Sequence, residues 1–223
     1  MSTEGTASQL PDPRLNVLLQ KVGLDPLDDE TAGKFGAYLS LFVRWNGRIN
    51  LSSLRDEDEI ISRHVIESIA VARSLPHKIT TLLDFGSGGG LPGIPIALCR
   101  PPDSCNPIVV TLAESQGKKA AFLQEAVRVL GIHAQVRAQR AETIEDKFDC
   151  VILRAVEKMP EAVAAAANLV APRGWLALMT TDSNLAELQA AAANEQFRWE
   201  SSIRLPDSDS RILALGQRVN AQA

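Results

Sequence analysis

The chain has 223 residues, 45% of them hydrophobic, and a formal net charge of −4. That is enough for one substantial core, and it argues against a surface coated in positive charge for nucleic acid, although a local basic patch stays compatible with it. Cys99, Cys105 and Cys150 are odd in number and lack C-x-x-C spacing. They argue against a disulfide framework or a zinc site and for reduced thiols in a cytoplasm.

The opening Met1-Ser2-Thr3-Glu4-Gly5 has no basic-then-apolar signal pattern, and no stretch of about 18 apolar residues suggests a membrane span. A cytoplasmic protein with no metal and no membrane partner is expected. Residues up to about Pro13 are polar and Pro-punctuated, and a frayed end is expected there. Arg14 to Gln20 reads as a short helix ending near Gly23. Asp28-Asp29-Glu30-Thr31 starts a second helix, with acids where the helix dipole favours them. Its apolar positions Phe35, Leu39, Phe42, Val43 and Ile49 recur mostly at three- and four-residue spacing. Asp56 to Glu59 starts a third helix carrying Ile60, Ile61, Val65, Ile66, Ile69 and Val71. Residues 1–76 therefore read as a small helical unit.

From residue 77 to 223 the pattern changes. Strand-like runs at Thr81–Phe85, Ile108–Ala113, Ala134–Arg137, Phe148–Leu153 and Trp175–Met179 alternate with amphipathic stretches at Pro92–Leu98, Lys118–Leu130, Pro160–Val170 and Asn184–Glu195. Alternation of this kind builds βαβ units on a parallel sheet. Phe197–Arg204 and Arg211–Leu215 flank Pro206-Asp207-Ser208-Asp209-Ser210 and read as a terminal hairpin. The expected fold is α/β. A seven-stranded, mostly parallel sheet with a terminal antiparallel hairpin resembles the Rossmann-like class I S-adenosylmethionine-dependent methyltransferases, here preceded by the helical unit.

The element that organises the chain is Thr81 to Ala97. An apolar run ends in Asp84, glycines follow at Gly86, Gly88 and Gly90, and a helical segment begins after Leu91-Pro92-Gly93. A strand that turns into a helix within a few residues needs positive φ, and a missing Cβ lets a ligand lie against the backbone. Gly88 to Gly93 also matches G-x-G-x-x-G literally, so a dinucleotide is one reading. Asp84 opposes it, because a pyrophosphate on the helix N-terminus would meet a nearby carboxylate. S-adenosyl-L-methionine has no phosphate and carries a sulfonium and an ammonium, so it suits that acid better.

Glu114 ends the second strand, where an acid accepts hydrogen bonds from a ribose, and this serves either cofactor. Glu142 follows the third strand and either holds an adenine edge or starts a short helix. Arg154 follows Val151-Ile152-Leu153, so a guanidinium leaves a buried strand beside the cofactor loop. It acts in the site or forms an ion pair, with Asp84 or Glu114 as partner.

Two helical-unit segments gain meaning in combination. Trp45-Asn46 with Asn50-Leu51 comes first, then Arg63-His64 and Ser68, then Asp84 to Pro95. Lys118-Lys119 with Phe122-Leu123, then Arg140-Ala141-Glu142 and Arg154-Ala155 complete the order. The chain in this resembles the small-subunit ribosomal RNA guanine-N7 methyltransferases, also called the glucose-inhibited division protein B family. The Leu-Pro-Gly-Ile-Pro extension after the glycines is the most specific piece. The resemblance implies S-adenosyl-L-methionine as cofactor and 16S ribosomal RNA or the small ribosomal subunit as partner, with a monomer expected. It implies that Gly86, Leu91, Ala141, Glu142 and Arg154 line the cofactor site. One departure stands out: many members carry a Lys-Gly pair after the fifth strand, and Met179-Thr180-Thr181 occupies that place here.

Guanine N7 carries an in-plane lone pair and needs no deprotonation before attack. The expected catalysis is positioning, with no general base required. Arg154 and Arg63 are the leading candidates for substrate contact, with His64 and Asn50 next. Arg44, Arg48, Arg55 and Arg63 on the helical unit, with Lys118 and Lys119 across the cleft, are candidates for phosphate contact. Two rival readings are a nicotinamide-dependent oxidoreductase and a non-catalytic RNA-binding protein that keeps a nucleoside pocket. The first needs a Tyr/Lys pair, and the single tyrosine, Tyr38, is far in sequence from the glycine loop.

Overall fold

A computed structural model describes residues 13–219 except 53, 55, 102, 103, 106, 194 and 195. The expected frayed start up to residue 12, Arg55, and the last two residues of the Asn184–Glu195 helix lie outside the described residues.

Helix α1 spans Pro13–Lys21 and α2 spans Asp29–Ile49. Asp28 caps α2, its carboxylate accepting from Thr31 N–H at 2.8 Å. The third predicted helix is a composite. A short turn α3, Glu57–Ile60, runs into a π-helical stretch, Ile61–Ile66, and then into α4, Glu67–Ser74. Hydrophobic spacing reports only the face that is buried, so a local widening from α to π geometry leaves little trace in it. Val43, read as a core position, is exposed.

The sheet contains β1 Thr81–Phe85, β2 Val109–Ala113, β3 Ala134–Arg137, β4 Phe148–Arg154, β5 Val170–Thr181, β6 Phe197–Trp199, β7 Ile203–Arg204 and β8 Arg211–Arg218. Its order is β3-β2-β1-β4-β5-β8-β6, with β7 also on β8. The pairs from β3 to β5 are parallel, and β8 runs antiparallel to β5, β6 and β7. The crossover helices are α5 Gly93–Cys99, α6 Gly117–Leu130, α7 Met159–Leu169 and α8 Asp182–Ala191.

The sheet corrects the sequence reading in two places. The run Phe197–Arg204 is two strands, so the described residues form eight strands where seven were expected. Trp199 pairs with Gly216 and Ile203 with Leu213, so four steps on the edge oppose three on β8. That extra residue is a bulge, a common device at a sheet edge. Met179-Thr180-Thr181 does not follow the fifth strand but completes it, paired with Leu213, Ile212 and Arg211.

Side chains alternate between the two faces. Leu82, Leu112, Cys150 and Ile152 face one core with α1, α2, α4, α5 and α6 residues; Leu83, Phe85, Val151 and Leu153 face the other with α7 and α8. The helical unit therefore shares a continuous core with one face of the sheet. Phe122 of α6 is its pivot, in edge-to-face contact with Phe42 at 6.1 Å and Trp45 at 5.9 Å. Trp45 Nε1–H also donates to Glu125 at 2.9 Å. The Trp45 and Phe122-Leu123 motif positions are thus the residues that dock α2 on α6.

Candidate active site

At the carboxyl edge of the sheet lies a cleft of about 500 Å³. Its floor is the glycine turn. Gly86, Gly88 and Gly90 all have positive φ, at 74°, 53° and 80°. Gly89 is required for a different reason: a Cβ there would come within 2.6 Å of the Phe42 ring. The loop is held from three sides. Ser87 N–H bonds to Ala113 C=O at 2.9 Å, Tyr38 Oη–H donates to Gly89 C=O at 2.6 Å, and Gly93 N–H bonds to Asp84 Oδ2 at 3.1 Å.

Glu114 is buried at the end of β2. Its two oxygens accept from Gly88 N–H at 3.0 Å and from Gln116 N–H at 2.7 Å, which fixes the carboxylate at the rim of the glycine turn. Each carboxylate oxygen keeps acceptor capacity for a ribose. Ala141 and Glu142 begin a single 3₁₀ turn, Ala141–Thr143, that forms the next wall. Glu142 thus starts a short helix and also lines the cleft, with its carboxylate 3.1 Å from Arg140.

Arg154, the last residue of β4, shares the parity of Cys150 and Ile152 and so faces the helical unit. Its Nη2 lies 2.9 Å from Arg63 C=O, 2.7 Å from His64 Nδ1 and 3.2 Å from Glu67 Oε2. The Arg63 carbonyl and the His64 ring both come from the π-helical stretch. Glu67, 1% exposed, also accepts from Arg211 Nε of β8. One carboxylate thus bridges two strands that β5 separates. The ion-pair partner of Arg154 is Glu67, and not Asp84 or Glu114 as the sequence suggested. Burial pushes the Glu67 carboxyl up, against the pull of Arg154 and Arg211.

His64 is pinned at both nitrogens. Nε2 lies 2.8 Å from Ser52 Oγ. Burial first, and the Arg154 charge second, lower its pKa to about 4. Both ring nitrogens of His64 are thus engaged in hydrogen bonds within the wall of the cleft.

The predicted site residues divide as follows. Gly86, Gly88, Leu91, Glu114, Ala141, Glu142, Arg154, His64 and Lys119 line the cleft. Asp84, Gly90, Arg63, Asn50, Arg48 and Lys118 are not among its lining residues. Asp84 is 1% exposed beneath the loop, and desolvation raises its pKa to about 7. Asn50 ends α2 in the left-handed conformation, with φ 52°. Arg44, exposed on the helical unit, is paired with Glu125 at 2.7 Å. Tyr38, remote in sequence, lies directly behind the glycine loop, but its buried hydroxyl is spent on Gly89 and is not offered to a ligand.

Sequence reasoning missed Ser52, Glu67 and Arg211. For Glu67 a signal existed: it is a lone acid in the apolar run Val65-Ile66-Glu67-Ser68-Ile69. Such a residue is buried only with a partner. Ser52 and Arg211 had no comparable mark.

The glycine cradle, the Glu114 carboxylate and the Ala141–Glu142 wall fit an adenosine-bearing cofactor, and the volume lies within the usual range for such ligands. A family model described as rRNA small subunit methyltransferase G matches residues 31–212. Ribosomal RNA small subunit methyltransferase G of Aromatoleum aromaticum is 42% identical over 162 residues, covering 70% of this chain and 74% of that one. The protein of the same name from Stenotrophomonas maltophilia is 36% identical over 183 residues, covering 81% and 83%. Among solved structures, magnesium protoporphyrin IX methyltransferase from Synechocystis with bound SAM superposes with a TM-score of 0.57 at 19% identity, covering 86% of this chain and 98% of that one, a likeness of fold.

Proposed function

The chain belongs to the rRNA small subunit methyltransferase G family; it is a methyltransferase that uses S-adenosylmethionine, and we propose that it methylates N7 of one guanine in 16S ribosomal RNA. The observation that carries the choice of atom is the state of His64. The cleft has a neutral histidine whose two nitrogens are occupied by Arg154 and Ser52. N7 attack needs no proton removed, so a histidine committed at both nitrogens suits it.

S-adenosylmethionine, when bound, supplies a methyl group on an electron-poor sulfonium. Gly86, Gly88 and Leu91 would cradle it, Glu114 would take its ribose hydroxyls, and Ala141 and Glu142 would flank its adenine. Asp84 acts from beneath, bonding Gly93 and shaping the loop. Arg154, His64 and Ser52 would form the wall against which the target base rests. Their mutual hydrogen bonds hold that wall rigid, which favours an in-line approach.

The helical unit, residues 1–76, is the proposed RNA side, and residues 77–223 the methyltransferase domain. Arg48, Arg63 and Lys118 are exposed and Lys119 lines the cleft, as phosphate contacts would be. A monomer in the cytoplasm, acting on the small subunit or its RNA, completes the reading.

The test uses purified protein, labelled S-adenosylmethionine and small subunits that lack the modification. Digestion of the RNA should yield labelled 7-methylguanosine from one position. Label on another atom or base would overturn the assignment of N7.

A further inference from the structure

Ser52 ends a chain of polar contacts that determines where each proton must lie. A guanidinium only donates, so His64 Nδ1, 2.7 Å from Arg154 Nη2, must hold a lone pair. The ring proton is therefore on Nε2, and it points at Ser52 Oγ, 2.8 Å away. Leu54 N–H donates to the same oxygen at 3.1 Å. A serine oxygen has two acceptor sites and one proton to give. Both acceptor sites are filled, and among the described residues no acceptor takes the proton.

The loop that carries Ser52 is clamped. Asn46, 3% exposed, accepts Ser52 N–H at 2.8 Å and donates to Leu54 C=O at 2.9 Å. Ser52 lines the cleft together with Leu51, His64 and Leu91. Its hydroxyl is thus a fixed, unspent donor on the helical wall of the site.

We propose that the Ser52 hydroxyl donates to O6 of the target base and thereby selects guanine over adenine. This rests on the reading that guanine N7 is the methyl acceptor. Guanine presents N7 and O6 side by side as acceptors, whereas adenine presents an amino donor beside N7. N7 must keep its lone pair for the methyl group, and O6 is the neighbouring acceptor left for the protein. An adenine would set its N6–H against a hydroxyl whose lone pairs are already committed, and neither group would be satisfied. The Arg154–His64 pair is what makes Ser52 a donor. A ring protonated on Nδ1 would have reversed its polarity. Since His64 titrates only at about 4, the ring stays neutral through the working range.

The experiment pairs protein variants with altered bases. Small subunits are reconstituted with RNA carrying guanine, inosine or 2-aminopurine at the modified position, and methyl transfer is measured as kcat/KM. Inosine keeps O6 and N7; 2-aminopurine keeps N7 and lacks O6. The wild-type protein should favour inosine over 2-aminopurine by about tenfold, the worth of one well-placed hydrogen bond. Ser52→Ala should lose about tenfold on guanine and inosine and lose nothing further on 2-aminopurine. Ser52→Thr, which keeps the hydroxyl, should restore the preference for O6. Thermal melting and S-adenosylmethionine affinity of Ser52→Ala, both close to wild type, would separate this from a collapsed loop.

Multiplicative losses from Ser52→Ala and from 2-aminopurine would overturn the O6 assignment alone. If wild-type protein labels guanine at another atom, or labels another base, the N7 reading falls and the O6 assignment falls with it.

Discussion

Tyr38, in the helical unit, donates a 2.6 Å hydrogen bond to the carbonyl of Gly89, at the tip of the glycine turn. The tyrosine is fully buried and stacks edge-on against Phe42, whose ring closes on Gly89 itself. The helical unit is therefore part of the structure that shapes the cofactor loop. Tyr38→Phe removes the donor and leaves the Gly89 carbonyl short of a partner. Stability should fall by about 1–3 kcal/mol in urea denaturation, and S-adenosylmethionine affinity should weaken in calorimetry. Two unchanged values would mean that the loop holds its shape without this bond.

Glu67→Gln tests the bridge between β4 and β8. A neutral amide cannot balance Arg154 and Arg211, and loss of one partner leaves charge partly buried. The arginine side chains are 15% and 28% exposed, so solvent relieves part of the cost. A loss of about 2 kcal/mol is expected in urea denaturation. Full stability in the variant would show that solvent already carries the two charges.

Glu114→Ala should weaken binding of S-adenosylmethionine and of S-adenosylhomocysteine by the same factor, about tenfold or more. The two ligands share the ribose and differ in the charge on sulfur. A loss confined to S-adenosylmethionine would place Glu114 at the sulfonium and remove it from the ribose.

Asp84 and His64 act in opposite directions on stability. Asp84 is raised from 3.8 to about 7 when folded. Between those values the folded chain holds the extra proton, so this contribution is full below about 4 and is lost as pH rises through about 7. His64 is lowered from 6.5 to about 4. There the unfolded chain holds the extra proton, so its contribution is full above about 6.5 and is lost as pH falls through about 4. Between about pH 4 and 6.5 the two largely offset. Asp84→Asn should uncover a stability that rises with pH over that window, and His64→Asn one that falls. Denaturation midpoints measured across pH check both signs.

Lys118→Ala should reduce the salt dependence of small-subunit binding, lowering the slope of log affinity against log salt by about 1. An unchanged slope would remove Lys118 from the phosphate contacts. Arg44→Ala, whose side chain already serves Glu125, should move the slope less.

The glycine turn was legible because backbone geometry dictates residue type there. Positive φ at alternate positions requires glycine, and Gly86, Gly88 and Gly90 have it. The parallel part of the sheet followed from alternation of strand and helix, with the edge of β8 as the exception. A bulge between Trp199 and Ile203 costs one residue of register and alters no hydrophobic spacing that a reader of the sequence would notice. The motif residues themselves gave no hint of their division of labour. Trp45 and Phe122 dock two helices, Asn46 clamps a loop, and Arg154 faces the cleft.

The α/β architecture, the glycine turn and the family could all be read from the chain without coordinates. Each depends on local spacing and on residue types that backbone geometry or ligand chemistry enforces. The partners of the charged groups could not be read in that way. Arg154 and Glu67 are separated by 87 residues, and which acid a buried guanidinium meets is settled by how helices cross a sheet face. The same holds for the polar chain across the cleft: Arg154, reaching across from β4, lies on one ring nitrogen of His64 while Ser52 lies on the other.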